Sequence, residues 1–361
     1  MWLSFSRRSF VAILMAVVSI WRMAQFSFLA SKQHTKAMDG PVKPQRHIAL
    51  VQQESKVNRT CLQNPYLPSL SDSIELVTKK ADHWLSVTMD LELKRANEPL
   101  YRKQNHERFY PFAPIANCSP MTCVGGECGQ DESKNMCGLQ ELKKGCIIYS
   151  IGGNNLWSFE LDLLIRTPCE IHTFDCTGDI SRFQKPDNPR LHFHHICLGK
   201  EFAPAKPVLD PEGKCILKHL NAKGIVTKIQ KCGETWTLLE MQRRLGHSRI
   251  DLFKMDIEGW EWPLFQSWPE LDDVVSSSQV LLPMQIMVEI HYRTKFPELL
   301  GDHPNNREFK FAEDMIYLNQ HFMKMGFVVV ARDNNRFCPH CTELTLVRIR
   351  CPDDGVYAPY V

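Results

Sequence analysis

The clearest group of reactive side chains is acidic. Asp256 and Glu258 stand two positions apart directly after an apolar segment, and Glu289 and His291 follow the next apolar segment in the same way. Carboxylates and an imidazole brought together can remove a proton from a substrate hydroxyl. We predict that these four residues are catalytic, with His291 as a neutral general base. Helix capping by the two acids after the first segment, and a hydrogen-bonded structural role for the histidine, are the alternatives.

A second group has the layout of a site for a nucleotide-type cofactor. One apolar run ends in a glycine turn, and the next apolar run, about twenty residues later, ends in an acid. Glycines let the backbone approach a ligand closely, and the acid can accept hydrogen bonds from ribose hydroxyls. The predicted cofactor-binding residues are Ser150, Gly152, Gly153, Asn154, Asn155 and Asp175, together with Asp256. An ordinary strand-to-helix turn and a helix cap are the alternatives.

The elements that must position both groups alternate between strand-like and helix-like patterns from Ile147 onward, which predicts a parallel α/β sheet. Because the carboxyl ends of parallel strands share one edge, the two groups should meet there. The capping box at Thr237 predicts a helix that stops at Gly246. Two further helices are predicted from apolar residues that recur on one face. The first begins at Ser71 and has on that face Ile74, Val77, Ala81, Trp84 and Leu91. The second covers 307–325 and has on that face Phe311, Met315, Leu318 and Phe322. The predicted strands are 147–151, 170–175, 191–197, 250–256, 284–290, 326–332 and 342–349, the last two antiparallel.

The run at residues 254–261 resembles the K-x-D-x-E-G-x-E signature of FkbM-like methyltransferases. The wider pattern is similar to a eukaryotic methyltransferase-like family found on secretory-type proteins, and it covers about residues 130–350. Its segments are 134–137, 146–152, 158–160, 169–175, 191–196 and 341–347. The resemblance implies a Rossmann-like class I fold, with a seven-stranded, mostly parallel sheet whose last strand is antiparallel. It also implies S-adenosylmethionine as cofactor, with Asp175 at its ribose and Asp256 beside its methyl group.

One position departs from the pattern of many class I methyltransferases. They carry an acid before the glycine turn, where it helps to position the methionine part of the cofactor. This chain has Ser150 there, and it has Gly-Gly-Asn-Asn where Gly-x-Gly is usual. We therefore expect the methionine part to be contacted from elsewhere, with Asn154, Asn155 or Asp256 as candidates.

The composition favours an oxidising compartment and gives no support to a nucleic-acid partner. The chain of 361 residues has fourteen cysteines and a formal net charge of +2, a balance without the basic excess of nucleic-acid binders. Cysteines in 111–146 are too irregularly spaced for a zinc ribbon and predict disulfides. A disulfide or turn is likewise expected for Cys338–Cys341. His192, His194 and His195 are expected to be core or surface residues rather than a metal cluster, and no metal site is predicted.

The N-terminal segment predicts membrane attachment. Basic Arg7 and Arg8 precede an uncharged run, and with Arg22 included the apolar stretch reaches about 22 residues, enough to span a bilayer. We predict an uncleaved signal-anchor within 1–31, which would make the chain a single-pass type II protein of the Golgi or endoplasmic reticulum with a lumenal catalytic domain. A cleaved signal peptide and a mitochondrial presequence are the alternatives. A flexible stem (32–70), a helical lead-in (71–110), the cysteine-rich segment (111–146) and the main domain (147–351) follow.

Together these patterns predict a methyltransferase that acts on a hydroxyl or other heteroatom of a sugar or small metabolite. Its expected partners are a small-molecule or glycan acceptor and the membrane. A Golgi-type glycosyltransferase that uses Asp256 and Glu258 to bind a metal is one alternative. A non-catalytic binding or scaffold protein that retains the fold is the other, and Ser150 is the feature that favours it.

Overall fold

The computed structural model describes residues 59–61, 63–102, 105–130, 132–201, 203, 211–212, 218–220, 226–229, 232–271, 281–293 and 310–351. These residues belong to one unit, Ser55–Val361. The predicted signal-anchor and most of the predicted stem lie outside them. Within the described ranges, no helix has both the length and the apolar character needed to cross a bilayer.

A seven-stranded sheet forms the centre of the fold. Its strands, in chain order, are β1 (Ile147–Ile151), β2 (Glu170–Phe174), β3 (Leu191–His194), β4 (Leu252–Met255), β5 (Gln285–His291), β6 (Phe327–Asp333) and β7 (Cys341–Arg348). Their order across the sheet is β6-β7-β5-β4-β1-β2-β3. The strands from β5 to β3 in that order pair in parallel, whereas β7 is antiparallel to both of its neighbours. The predicted α/β sheet with an antiparallel last strand is therefore present, and its parallel part covers five of the seven strands.

The strands follow the apolar runs because both faces of the sheet are covered. Alternate residues point to opposite faces of a strand, so Tyr149 and Phe253 join one hydrophobic cluster while Ile148 and Leu252 join the other. Every residue of β4 and β5 is buried. One prediction is too long: residues 191–197 divide into β3 and a separate strand, Ile196–Leu198, which pairs with Glu234–Trp236 instead.

Helices cover the sheet and the segment before it. They are α1 (Ile74–His83), α2 (Met89–Arg95), α3 (Ser158–Arg166), α4 (Leu238–Leu245), α5 (Glu261–Phe265) and α6 (Ala312–Lys324). The predicted limits of α4 are confirmed, because the Thr237 hydroxyl accepts a hydrogen bond from the Glu240 amide and Gly246 ends the helix with φ of 71°. Short 3₁₀ helices occupy Leu67–Ser69, Pro99–Arg102, His106–Phe112, Leu139–Glu141 and Ile180–Arg182.

Two predicted helical faces differ from the structure. A π-helical turn, Trp84–Thr88, joins α1 to α2 and changes the helical phase, so that Met89 is buried and Leu91 is exposed. Phe311 precedes α6 and is also exposed, because α6 begins one residue later. Met315, Leu318 and Phe322 are buried as predicted.

Disulfides tie the cysteine-rich segment and both ends of the domain together, as the cysteine count predicts. Among the described residues the pairs are Cys61–Cys351, Cys118–Cys137, Cys123–Cys128, Cys146–Cys169, Cys176–Cys197 and Cys338–Cys341. The last part of the predicted stem, residues 63–70, is not the flexible segment that we expected. It is packed on the domain, where Tyr66 is fully buried and the Asn64 amide donates hydrogen bonds to the backbone of Met284 and Arg348.

The disulfide Cys61–Cys351 should contribute more to stability than any short-range pair. It closes a loop of 290 residues, compared with 5 for Cys123–Cys128, and longer loops restrict the unfolded chain more. We expect replacement of both cysteines of the long-range pair by serine to lower the free energy of unfolding by about 3 kcal/mol more than the same change at the short-range pair. Urea denaturation of the two double variants measures the difference, and equal losses would contradict the expectation.

Candidate functional site

A cavity of about 280 Å³ opens at the carboxyl ends of β1, β2 and β4. This is close to the lower end of the range for small-molecule pockets, roughly 300–1,000 Å³. Six predicted site residues line it, namely Gly152, Gly153, Asn154, Asp175, Asp256 and Glu258. The sheet thus brings the glycine turn and the acids to one place, as the strand pattern predicts.

The glycine turn lies directly against the end of β4. Gly152 has φ of 81°, and a Cβ atom there would lie 1.9 Å from the carbonyl oxygen of Asp256. Any larger residue would push the two strand ends apart. The carbonyl oxygen of Gly152 accepts a hydrogen bond of 3.1 Å from the Lys254 ammonium. This bond is a second contact that holds the turn against β4.

Asp175 is fixed at the end of β2 by the neighbouring loops. One carboxylate oxygen accepts a hydrogen bond of 2.7 Å from the Asn154 amide, and the other accepts from the amide and hydroxyl of Thr177 at 2.8 and 2.5 Å. The side chain is only 5% exposed, yet it lines the cavity. A carboxylate oxygen has two lone pairs, so Asp175 can hold the turn and still accept from a ligand hydroxyl.

Two predicted cofactor-binding residues do not line the cavity. Ser150 is fully buried because it lies within β1, before the carboxyl end of the strand where the cavity opens. Asn155 serves the loop itself, since its side-chain oxygen accepts hydrogen bonds from the Trp157 indole and the Gln184 amide. Neither side chain is therefore placed to contact a ligand in the cavity.

Behind Asp256, a buried imidazole is surrounded by carboxylates. His291 at the end of β5 lies 3.4 Å from a Glu261 oxygen, 3.5 Å from a Glu258 oxygen and 3.7 Å from a Glu289 oxygen. Glu261 is fully buried, and its other contacts are hydrogen bonds from the Ile257 and Gly259 amides. Glu289 and His291 do not line the cavity. They lie behind Asp256 and Glu258, and they influence the cavity through the charges of these two acids.

These surroundings decide which groups carry protons. Burial alone would lower the pKa of His291, but Glu261, Glu289 and Asp256 outweigh it and raise the pKa to about 10. Burial and the nearby Asp256 raise the pKa of Glu289 to about 9. Burial also acts against ionisation of Asp256, yet Lys134, Lys254 and His291 together hold its pKa below the ordinary value. At neutral pH His291 is therefore an imidazolium, not the neutral imidazole that we expected, and Asp256 stays ionised at the cavity.

Four charged residues of the cavity have no role predicted from the sequence, although all but the first lie in segments of the family resemblance: Glu132, Lys134, Glu160 and Lys254. Lys134, from the cysteine-rich segment, forms a buried ion pair with Glu343 of β7. Glu160 in the first turn of α3 is 1% exposed; one of its oxygens accepts from the Thr173 hydroxyl, and the other has no hydrogen-bond partner among the described residues. Lys254 is the first residue of the signature at residues 254–261, and its ammonium donates to the Gly152 carbonyl. The sequence feature that could have pointed to Glu160 is its position as an acid within an otherwise apolar helical face.

The cavity favours a positively charged ligand. Among its described lining residues five are acids and two are lysines, namely Glu132, Glu160, Asp175, Asp256 and Glu258 against Lys134 and Lys254. An excess of one charge in a cleft attracts ligands of the opposite charge. Glu258 also adopts φ of 60°, a left-handed conformation uncommon for a residue other than glycine, which is typical of functional sites.

Comparison with known proteins supports a methyl-transfer site. Residues 80–348, well over half of the chain, match a family model described as a methyltransferase domain. Among solved structures the chain is similar to a protein from Pyrococcus horikoshii assigned as an RNA methyltransferase, with 9% identity and a TM-score of 0.25, covering 59% of this chain and 78% of that one. No curated protein matches the sequence.

The protons on Glu289 and His291 should make stability depend on pH. Their pKa values rise from 4.5 and 6.5 to about 9 and about 10 on folding. Between pH 6.5 and pH 9 the folded chain holds protons on both groups that the unfolded chain has lost. The free energy of unfolding should therefore fall as pH rises, by about 1.4 kcal/mol per pH unit for each proton.

Glu289→Gln removes one of these protons and should make the fall with pH clearly shallower. Denaturant unfolding at several pH values between 6.5 and 9 measures the slope. Glu127→Gln, at an exposed position, is the control and should keep the slope of the unaltered protein. A stability that is flat or rises over this range would contradict the assigned protonation states.

Proposed function

The chain belongs to the methyltransferase-domain family, and we propose that it transfers the methyl group of S-adenosylmethionine to a hydroxyl or other heteroatom of a small molecule or glycan. The observation that carries the proposal is the meeting of the glycine turn, Asp175 and Asp256 at one cavity. Each comes from the end of a different parallel strand, which is where open α/β sheets bind their ligands.

The residues present fit the cofactor. Gly152 lets the turn lie directly against the end of β4, so that the backbone of Gly152 and Gly153 lines the cavity where a ligand would lie. Asp175 is placed to accept hydrogen bonds from ribose hydroxyls. The buried Glu160 oxygen, which lacks a partner among the described residues, is suited to the methionine ammonium. Glu160 would thus supply, from α3, the acid that Ser150 does not supply from β1, and the acidic lining suits a cofactor that carries a positive sulfur.

When bound, the cofactor supplies a methyl group on a sulfonium, which is ready for in-line displacement. The chain then has two tasks, which are to orient the acceptor and to remove its proton. We assign the second task to Asp256, because it is ionised and lines the cavity. His291 and Glu289 lie behind it in protonated form, so they act on the charge of Asp256 rather than on the acceptor.

The proposed compartment is the secretory pathway, with the predicted N-terminal anchor holding the chain to the membrane. The disulfides support this part of the proposal, because such bonds persist in oxidising compartments and are rare in the cytosol. A glycan or a small hydroxylated metabolite is the acceptor class that we propose there.

Calorimetric titration of S-adenosylmethionine into the purified protein tests the cofactor assignment. Asp175→Ala should abolish binding, and Glu160→Gln should weaken it about 10- to 100-fold, since a hydrogen bond to a charged group contributes about 1.5–3 kcal/mol. Glu127→Gln, an exposed acid outside the cavity, should leave the affinity unchanged.

The alternatives give different results in the same experiment. A well-folded protein that releases no heat with S-adenosylmethionine would support a scaffold that retains the fold without the chemistry. Binding of a sugar nucleotide only in the presence of Mn²⁺ would support a glycosyltransferase. Either result would contradict the proposal.

A further inference from the structure

Four histidines meet on one face of the sheet, away from the cavity. His172 comes from β2, His192 and His194 come from β3, and His247 follows α4. None of the four is among the described residues that line the cavity. The sequence places His192 and His194 on one face by alternation, but it does not show that residues from β2 and from beyond α4 join them.

The rings are packed closely. His172 and His192 are register partners on neighbouring strands and stack with their centroids 4.6 Å apart. The His247 ring packs edge-on against His172 at 4.5 Å and is held there by a 2.8 Å hydrogen bond between its Nδ1 and the Tyr149 hydroxyl. His172 is thus fixed on two sides.

The hydrogen bonds of His172 leave one of its ring nitrogens with unused capacity. Its Nδ1 lies 3.0 Å from Nε2 of His194, whereas its Nε2 is buried and has no hydrogen-bond partner among the described residues. With Nδ1 as the donor, Nε2 presents a lone pair. This is the arrangement of metal-binding histidines, whose second ring nitrogen donates to a neighbouring group that fixes the tautomer. A buried polar atom without a partner costs about 1–3 kcal/mol, which a ligand would relieve.

A carboxylate completes the group of donors. Glu170 at the start of β2 has an oxygen 3.9 Å from Nε2 of His192. Donor atoms of Glu170, His172 and His192 all lie within 4.8 Å of one another. The side chains of Glu170 and His192 are 55% and 40% exposed, so solvent reaches the group from one side.

We propose that Glu170, His172 and His192 form a binding site for Zn²⁺, with solvent water as the fourth ligand. Two imidazoles and one carboxylate suit zinc better than Mg²⁺ or Ca²⁺, which prefer oxygen ligands only. Zinc ligands lie about 2.0–2.2 Å from the ion. The two exposed side chains can rotate to reach that distance while the buried His172 stays in place. The ion would link β2 to the edge strand β3, and the site does not depend on the proposed methyl transfer.

Metal analysis of the purified full chain, prepared without a polyhistidine tag, tests the site. After removal of metals with a chelator, dialysis against ZnCl₂ should restore one zinc per chain, and zinc should raise the melting temperature. The variant Glu170→Gln/His192→Gln, which alters two exposed side chains, should lose this zinc. His194→Ala should bind it about 10- to 100-fold more weakly, because it removes the group that orients His172.

The matched control is His195→Gln, which changes the histidine next along the chain whose ring bonds to the Gly178 carbonyl rather than to the cluster. It should retain one zinc per chain. Failure of the unaltered protein to retain stoichiometric zinc would overturn the site, as would equal zinc binding by Glu170→Gln/His192→Gln. Because S-adenosylmethionine binds elsewhere in our account, its calorimetric titration with the same variants separates failure of the zinc site from failure of the proposed function.

Discussion

The site depends on the close approach of two strand ends. The carbonyl oxygen of Asp256 occupies the space that a Cβ atom would need at residue 152, so only glycine fits there. This contact sets the glycine turn of β1 against the acids that follow β4, and the Lys254 ammonium, bonded to the Gly152 carbonyl, reinforces it. Asp175 then fixes the remainder of the turn by accepting the Asn154 amide. The residues proposed to bind the cofactor and the residue proposed to take the proton are therefore held together at the ends of β1, β2 and β4.

A second constraint is the balance of buried charge behind this frame. Carboxylates would repel one another in a buried space unless cations or protons separated them. Lys134 and Lys254 favour ionisation of Asp256, His291 takes up a proton beside Glu261, and Glu289 remains protonated. The result keeps Asp256 ionised at the cavity and places protonated groups behind it. This distribution, rather than the chemical type of each side chain, decides which residue can accept a proton.

Much of the sheet and part of the site could be predicted from sequence. The strands are long apolar runs buried on both faces, and glycines or acids at the ends of parallel strands meet at one edge of the sheet. The presence of Gly152, Asp175 and Asp256 at one cavity could therefore be predicted. The protonation of His291 could not be predicted from the sequence, because it depends on Glu261 and Glu289, which only the fold brings close to the imidazole. The sequence predicts no role for Lys134 and Glu160, because their contacts with Glu343 and Thr173 form only when the segment before β1 and helix α3 pack on the sheet. Likewise, Ser150 looked like a site residue by position but lies inside the strand.

The most direct test of the account is transfer of a tritiated methyl group from S-adenosylmethionine to a pool of monosaccharides and small hydroxylated metabolites, by the unaltered protein and by Asp256→Asn. The substitution keeps the shape of the side chain and removes its ability to take a proton. Our account predicts that the unaltered protein labels a member of the pool, and that Asp256→Asn binds the cofactor but transfers the label about 10²- to 10⁴-fold more slowly. Equal rates from the two proteins, or no labelling by a protein that binds the cofactor, would contradict it.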